Sequence, residues 1–268
     1  MNKIKKLINN NRNIRRIHLS GTNYIVIEEI DDNKEIFFTC VNVDNDKIIF
    51  KDLQLKEKNW VGIEQIYYDK IIFHFFQTPE MPYHKGILVY DIKNNAFLWE
   101  NTEESFLFIH NDLIYTSISK MLGNEIKGYN ITTGEIVDNL GFDEEKALDL
   151  SRRVDRSYLY KNYSYPYYID EIDDEHIIEL TKKINNKYSA IFNETEILLF
   201  PDKIIFGLQI PDNTKYKNLL LEYDKNNNEM KELLTINYSN KIVKSSYFAF
   251  FYEIYAICDG KILYKYKL

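Results

Sequence analysis

The sequence predicts an all-β fold built from a repeated pair of strands, and three observations support this. The chain has 268 residues, a length that suits one large β domain. It contains 22 Tyr and 16 Phe, residue types that fill a pleated, half-buried strand surface. A strand–turn–strand pattern also recurs along most of the chain. We therefore expect a single domain over residues 1–268.

Four segments carry this repeat, with similar turn chemistry in each. In each copy an apolar strand ends in Val or Tyr followed by Asp or Asn, a polar turn follows, and a second strand leaves the turn. The leading Asp or Asn is able to accept hydrogen bonds from turn amides, and Asn, Asp and Gly tolerate left-handed backbone. We therefore predict hairpins at residues 37–52, 86–101, 125–138 and 219–233.

The spacing of the hairpins predicts a β-propeller of about five or six blades. Val41, Tyr90, Tyr129 and Tyr223 occupy the same position, 49, 39 and 94 residues apart. Since 94 is twice 47, the last gap should hold a degenerate copy, and residues 175–192 are placed to form it. A repeat of about 40 to 50 residues that ends in a hairpin is typical of a propeller blade.

The two ends of the chain are expected to meet in one sheet. Asp259-Gly260 is the strongest hairpin signal in the sequence. We predict that this last hairpin pairs near the first strand and closes the ring of blades, which removes exposed strand edges.

One segment interrupts the β pattern and predicts a short helix near 143–156. Asp143 is a suitable N-cap, Glu144 and Glu145 favour the first turn, and the arginines that follow favour the last. Ala147, Leu150 and Val154 form a modest apolar face. The helix either packs over a gap between blades or docks a partner.

Two resemblances to known families support this prediction. The segments VYDIKNNAFLWE (89–100) and YNITTGEIVD (129–138) resemble quinoprotein-type propeller repeats, although Asn95 replaces the usual Gly and the second segment lacks the Trp. Residues 59–101 are similar to an uncharacterised bacterial family of propeller-like proteins, a domain of unknown function. Its pattern is Trp-x-Gly (60–62), a His-containing strand and Pro-x-His-Lys-Gly (82–86). The resemblances imply a fold, and neither implies an activity or a cofactor ligand here.

The best candidate site lies in the stretch FFQTPEMPYHKGILVYD (75–91). We predict strands at KIIFHFF and KGILVYD, with QTPEMPYH (77–84) as a connection of about eight residues stiffened by its prolines. His74 and His84, which flank this connection, could converge, with Trp60 of the preceding strand beside them. Ligand or partner binding is one interpretation; the others are a catalytic site, or hydrogen bonds from His84 and Lys85 that tie the loop to neighbouring carbonyls. The candidate binding residues are Trp60, His74, Glu80, His84 and Lys85.

Motifs for other chemistry are missing from the sequence. It contains no GxGxxG, GxxxxGK[ST], HExxH, CxxC or GxSxG pattern, so we predict no catalytic residue, no cofactor and no metal site. The acidic runs 28–35 and 167–176 lack the periodicity of a calcium loop, and we expect them to be solvated strand ends.

Charge and cysteine content bear on partners and location. A formal net charge of -7 argues against nucleic-acid binding. Residues 1–17 carry six Lys or Arg and no acid, which predicts a basic leader or first strand; the alternative is weak peripheral contact with an anionic membrane. With no signal peptide and no apolar run of 18 residues, we expect a cytoplasmic protein in which Cys40 and Cys258 are reduced and buried.

Taken together, these features predict a non-enzymatic propeller scaffold that binds a protein or small-molecule partner. The alternative is an enzyme that acts at the central funnel of the propeller, on a carbohydrate, through convergent carboxylates.

Overall fold

The computed structural model describes residues 4–78, 81–157 and 162–268. In these residues the chain forms 22 strands, two α-helices and short 3-10 turns. The first strand, β1 (Ile4–Asn9), belongs to the last sheet. The chain divides into two compact units, one of Arg12–Lys161 and the other of Met1–Asn11 with Asn162–Leu268.

In the described part of the unit Arg12–Lys161, three antiparallel sheets of four strands follow one another in chain order. Sheet I contains β2 (Asn13–Leu19), β3 (Tyr24–Ile30), β4 (Ile36–Asn42) and β5 (Lys47–Leu53). Sheet II contains β6 (Val61–Tyr67), β7 (Lys70–Thr78), β8 (Met81–Asp91) and β9 (Ala96–Asn101). Sheet III contains β10 (Ser105–His110), β11 (Leu113–Lys120), β12 (Gly123–Asn130) and β13 (Ile136–Gly141), and α1 (Glu144–Arg152) follows it.

In the described part of the second unit there are two sheets of five strands. The chain contributes β14 (Tyr163–Ser164), β15 (Tyr167–Tyr168), α2 (Glu175–Tyr188), β16 (Glu196–Leu199), β17 (Lys203–Asp212), β18 (Lys215–Asp224) and β19 (Glu229–Ser239). It ends with β20 (Tyr247–Phe250), β21 (Glu253–Cys258) and β22 (Ile262–Lys267). Sheet IV has the order β15-β16-β17-β18-β19, and sheet V has the order β1-β22-β21-β20-β14.

This architecture confirms the predicted fold class. Each of the five described sheets contains a meander of antiparallel strands, which is the organisation of a propeller blade, and five falls within the predicted blade count. The four predicted hairpins are the last two strands of sheets I to IV. In sheet V the fourth strand is β1, with Ile4 opposite Tyr266 of β22, so the last hairpin pairs with the first strand as predicted.

The repeated turns share one backbone geometry. Asp46, Asn95, Gly134 and Asn228 stand at the same position of their turns and have φ angles of 55°, 52°, 72° and 54°. The leading side chain accepts hydrogen bonds from turn amides, as when Oδ1 of Asp91 accepts from Asn94 N at 2.9 Å. The turn chemistry that the sequence analysis identified therefore specifies the hairpins.

The prediction that residues 175–192 form a degenerate hairpin is wrong, because most of the segment, Glu175–Tyr188, forms α2. Oδ1 of Asp174 accepts hydrogen bonds from the backbone N–H groups of His176 and Ile177, at 2.9 and 3.2 Å. Ile177, Thr181 and Ile184 are buried along one side of the helix. Their spacing of four and three residues is the helical period, and the cap fixes where the helix starts.

The predicted helix near 143–156 is confirmed as α1. Asp143 caps it by accepting from Lys146 N at 2.9 Å. Ala147 is buried, and Leu150 and Val154 pack with it against Phe108 and Leu140 of sheet III. The apolar face of α1 is thus covered within its own unit.

The prediction that the acidic run 28–35 is a solvated strand end is wrong for its first two residues. Glu28 and Glu29 lie in β3 and are 0% exposed. Arg15 and His18 from β2 lie 3.1 and 3.2 Å from the Glu28 carboxylate, and Arg12 lies 3.4 Å from that of Glu29. Arg15 on the adjacent strand and Arg12 just before it allow these carboxylates to be buried.

The basic segment and the cysteines are ordered parts of the fold. Residues 4–9 and 13–17 lie in β1 and β2. Cys40 and Cys258 are buried and unpaired, as predicted. Among the described residues, no helix has both the length and the apolar character needed to cross a membrane.

Candidate functional site

The candidate site is carried by a long ribbon of β7 and β8. The predicted eight-residue connection at 77–84 is wrong, because β7 continues to Thr78 and β8 begins at Met81, with Phe76 opposite His84. Pro82 is accommodated in β8 because pairing with β9 starts only at Ile87, so no strand requires the missing N–H on that side. Strand pairing therefore holds His84 in place.

The ribbon brings the two predicted histidines into direct contact. The imidazole rings of His74 and His84 stack with centroids 3.5 Å apart and an angle of 8° between their planes. A shift in register between His74 and Phe75 changes the alternation of side chains at this point of the ribbon. The predicted convergence of these two side chains is present in the structure.

A carboxylate that the sequence analysis did not select completes the cluster. Oε2 of Glu64 in β6 lies 2.7 Å from Nδ1 of His74 and 2.7 Å from Nδ1 of His84. The pairing of β6 with β7 shifts register between Ile63 and Gln65, so Glu64 is the extra residue of a β-bulge. Bulges often redirect a side chain in this way, and no residue type in the sequence signals one here.

Burial differs sharply among the three groups. His74 is 1% exposed, whereas the side chains of Glu64 and His84 are 19% and 38% exposed. Although Nδ1 of His74 lies 2.7 Å from Oε2 of Glu64, neither ring nitrogen of His74 has a partner with hydrogen-bond geometry among the described residues. The cluster therefore has a buried, fixed side at His74 and a solvent-facing side at His84.

The electrostatics of the cluster favour an ionised Glu64 beside a neutral His74. Burial opposes the ionisation of Glu64, but the contacts with His74 and His84 outweigh it and hold the pKa of Glu64 below its usual value. Burial also lowers the pKa of His74, and the Glu64 carboxylate offsets this only in part. A neutral imidazole retains a ring-nitrogen lone pair for a ligand.

Gly62 provides the space for His74. A Cβ at this position would lie 3.0 Å from both Cε1 and Nε2 of His74 and 3.9 Å from Oε2 of Glu28. The Gly of the Trp-x-Gly pattern thus has a physical role, since the buried ring packs directly on the backbone of β6.

Aromatic side chains border the cluster. The Phe76 ring meets His74 and His84 edge-on, with centroids at 5.2 and 5.3 Å. Trp60 is 44% exposed and packs against Phe76 at 6.5 Å. We call Trp60, Phe76 and His84 the aromatic rim. Trp60 therefore lies near the histidines through Phe76.

The structure does not bring Lys85 to the cluster. Lys85 pairs with Glu103 at 3.2 Å, because consecutive strand residues project to opposite faces and Lys85 follows His84. Neither His84 nor Lys85 is tied to a neighbouring carbonyl in the described contacts of its side chain. Glu80 lies outside the described residues.

A separate cavity of about 320 Å³ lies between the segment after β5 and the strand β9. Its lining is mostly apolar, with Gln54, Lys56 and Glu100 as polar members: Gln54, Leu55, Lys56, Phe75, Leu88, Phe97, Leu98, Trp99 and Glu100. It does not include the histidine cluster, and its polar groups form no ligand set.

Comparison with known families places the site within a matched segment. Residues 19–99 match the sequence model of a family described as "Domain of unknown function (DUF4905)". The match covers β3 to β9 and all of Glu64, His74 and His84, and it confirms the resemblance to an uncharacterised family. This segment is thus similar to that family, and it belongs to a chain with a β-propeller fold. No curated protein matches the sequence.

Solved structures show only distant likeness. The tricorn protease matches with 9% identity, a TM-score of 0.31 and coverage of 95% of this chain and 29% of its own. The β-propeller domain of the Trilobed protease from Pyrococcus furiosus matches with 11% identity and a TM-score of 0.32, and the match covers 96% of this chain and 68% of that domain's chain. The uncharacterised protein lmo1340 from Listeria monocytogenes EGD-e matches with 9% identity, a TM-score of 0.33 and coverage of 94% of both chains. This chain thus spans less than a third of the tricorn protease, and the likeness carries no argument about activity.

Proposed function

We propose that this protein is a non-enzymatic binding protein that takes its ligand or partner at the aromatic rim. The observation that supports this most directly is that a half-exposed Trp60 and a half-exposed His84 contact the same Phe76 ring, and that His84 stacks on the buried His74. An exposed aromatic ring next to an ionisable group provides both apolar contact area and a directional polar contact. Trp is also among the residue types that dominate binding energy at interfaces.

The rim is well placed for recognition because paired strands position it. Phe76 N–H donates a hydrogen bond to the Trp60 carbonyl at 3.0 Å, which ties the residue before β6 to β7. Ser105 Oγ donates to the His84 carbonyl at 2.8 Å, which ties β8 to the start of sheet III. A site held in this way loses little conformational freedom when a ligand binds.

The enzyme alternative receives less support from the cluster. Hydrolysis of a carbohydrate requires a carboxylic acid that protonates the leaving group and a second carboxylate. Glu64 is the carboxylate in contact with the two histidines, and its lowered pKa keeps it ionised at neutral pH. It is therefore poorly suited to donate a proton. We accordingly propose binding without catalysis.

Two further parts of the proposal concern location and surfaces. The unpaired, buried Cys40 and Cys258 support a location in a reducing compartment such as the cytoplasm. Weak contact of the basic segment with an anionic membrane stays a prediction. The guanidinium groups of Arg12 and Arg15 are engaged with carboxylates of β3, which reduces the charge that they offer to a membrane.

Native mass spectrometry of the protein isolated from its own cells at natural abundance tests the proposal. We expect a bound mass that dissociates on denaturation, and we expect Trp60→Ala to lose it. Tyr252→Ala is the matched control, since Tyr252 is 76% exposed and belongs to the other unit. A bare chain in the unmodified protein, or equal retention of the bound mass by both variants, would argue against binding at the rim.

A further inference from the structure

We infer that Glu64, His74 and His84 bind a divalent first-row transition-metal ion, for which Zn²⁺ is the natural probe. One ligand atom from each of the three side chains lies within 4.8 Å of the others. Two imidazole nitrogens and one carboxylate oxygen are a donor set that suits zinc and its neighbours in the transition series. This inference deepens the proposed function, because His84 belongs both to the cluster and to the aromatic rim.

The spacing of the donors requires only small movements. Ligand atoms in a tetrahedral zinc site lie about 3.4 Å from one another when each bond is about 2.1 Å long. Both Nδ1 atoms now lie 2.7 Å from Oε2 of Glu64. The carboxylate would therefore move away from each nitrogen by less than about 1 Å to admit the ion.

The buried histidine supplies an independent reason to expect a ligand. His74 is 1% exposed, and neither of its ring nitrogens has a hydrogen-bond partner among the described residues. A buried polar group without a partner is destabilising, and coordination of a metal would satisfy one of the two nitrogens. Gly62 lets the ring pack against β6, so His74 is held in position before any ion arrives.

The stacked rings indicate which ligand adjusts. In two stacked imidazoles the nitrogen lone pairs lie in nearly parallel planes, here with ring centroids 3.5 Å apart, whereas a bound ion requires both lone pairs to be directed at one point. His74 has no room to turn, because the backbone of Gly62 and the ring of Phe76 lie against it. The side chain of His84 is 38% exposed and is able to rotate toward the ion.

Three protein ligands would leave a fourth position open on the exposed side of the cluster. Zinc sites with three protein ligands keep such a position for water or for a group of a second molecule. Phe76 contacts both Trp60 and His84, so a donor atom of a ligand or partner bound at the rim is able to complete the coordination. The proposed binding function and the metal site would then act on the same molecule.

Titration of the metal-free protein with Zn²⁺ by isothermal calorimetry tests the inference. We expect one ion per chain, with affinity at least tenfold weaker in Glu64→Gln and in His84→Ala. His176→Ala is the matched control because His176 is exposed at the start of α2, and its affinity should be unchanged. Circular dichroism of each variant verifies folding, and His74→Ala is avoided because it would leave a void in the core.

Thermal unfolding with and without Zn²⁺ provides a second readout. An ion that binds only the folded chain raises Tm in proportion to its binding free energy. We expect a rise in the unmodified protein and in His176→Ala, and a smaller rise in Glu64→Gln. No saturable binding, or equal binding by Glu64→Gln, His84→Ala and His176→Ala, would overturn the inference and leave the cluster as a contact in which His84 is hydrogen-bonded to Glu64.

Trp60→Ala separates the metal site from the proposed function. Trp60 supplies no ligand atom, so this variant should bind Zn²⁺ as tightly as the unmodified protein. If Trp60→Ala loses the partner while the unmodified protein binds no Zn²⁺, the metal inference fails and the binding function stands. If Zn²⁺ binds and Trp60→Ala keeps the partner, the binding function at the rim fails and the metal site stands.

Discussion

Replacement of Gly134 by alanine tests how the turn of sheet III is held against sheet II. Gly134 has a φ of +72°, and an added Cβ would lie 2.6 Å from Cγ, 2.8 Å from Cδ2 and 3.1 Å from Cβ of Trp99. These atoms are at the root of the Trp side chain, so rotation of the ring alone would not relieve the contact. The substitution must displace Trp99 or the turn.

The expected loss in the free energy of unfolding is about 3 kcal/mol. A left-handed backbone angle at a residue with a Cβ costs about 1 kcal/mol. Displacement of Trp99 also breaks its Nε1–H bond to the Ile131 carbonyl, at 3.0 Å, which is worth about 1 kcal/mol. Loss of its stacking on Tyr129, with centroids 5.8 Å apart, adds about 0.5 to 1 kcal/mol.

Gly141→Ala is a control that isolates the backbone contribution. Gly141 also has a left-handed φ, +59°, but a Cβ there would meet nothing within 4 Å. We expect Gly141→Ala to lower the free energy of unfolding by about 1 kcal/mol. Urea unfolding of both variants, followed by tryptophan fluorescence, measures the difference. If the two variants lose equal stability, the contact between Gly134 and Trp99 does not hold the turn, and the reasoning is refuted.

Three further predictions concern the cluster, the thiols and α2. The pKa values of Glu64 and His74 are both lowered on folding, so the unfolded chain binds protons more readily and stability should fall as the pH drops below about 6.5; urea midpoints measured from pH 7 to pH 5 should show a steeper fall in Glu64→Gln, because the carboxylate that partly offsets the effect of burial on His74 is then absent, and an identical fall would contradict the assignment. Burial raises the pKa of the Cys40 and Cys258 thiols to about 12. A thiol reagent at pH 8 should therefore react with neither thiol in the native protein and with both in guanidinium. Rapid reaction of the native protein would show that the thiols are accessible. Asp174→Ala should lower the free energy of unfolding by about 1 kcal/mol, because the cap of α2 is lost. The neighbouring substitution Asp173→Ala should have little effect on the free energy of unfolding. Equal effects of the two substitutions would exclude a capping role for Asp174.

Local sequence signals were sufficient for the hairpins and for α1. Asn42, Asp91, Asn130 and Asp224 each precede a turn whose left-handed residue is Asp, Asn or Gly, and these residue types act on their own turn amides within a few residues. The cap of α1 by Asp143 is equally local. Such interactions do not depend on distant parts of the chain, so the repeat and the fold class were predictable.

The same local approach failed where a helix replaced an expected strand. Residues 175–192 were assigned from their position in the repeat, although Asp174 and the spacing of Ile177, Thr181 and Ile184 carry a helical signal. The repeat constrains the spacing of blades but leaves the insertion between β15 and β16 free to form another structure. Local capping and periodicity were the better guide at this point.

The composition of the candidate site depended on contacts between strands. The sequence indicated His74 and His84 through their places on either side of one hairpin, because residues that flank a turn return to the same region of a sheet, and it indicated Trp60 through its place in the preceding predicted strand. It did not indicate Glu64, whose carboxylate reaches both imidazoles from a β-bulge in β6, nor the separation of Lys85 from His84. Bulges and register are set by the packing of whole strands against one another, so the folded sheet, rather than any short segment, assembles the two histidines and the carboxylate into one cluster.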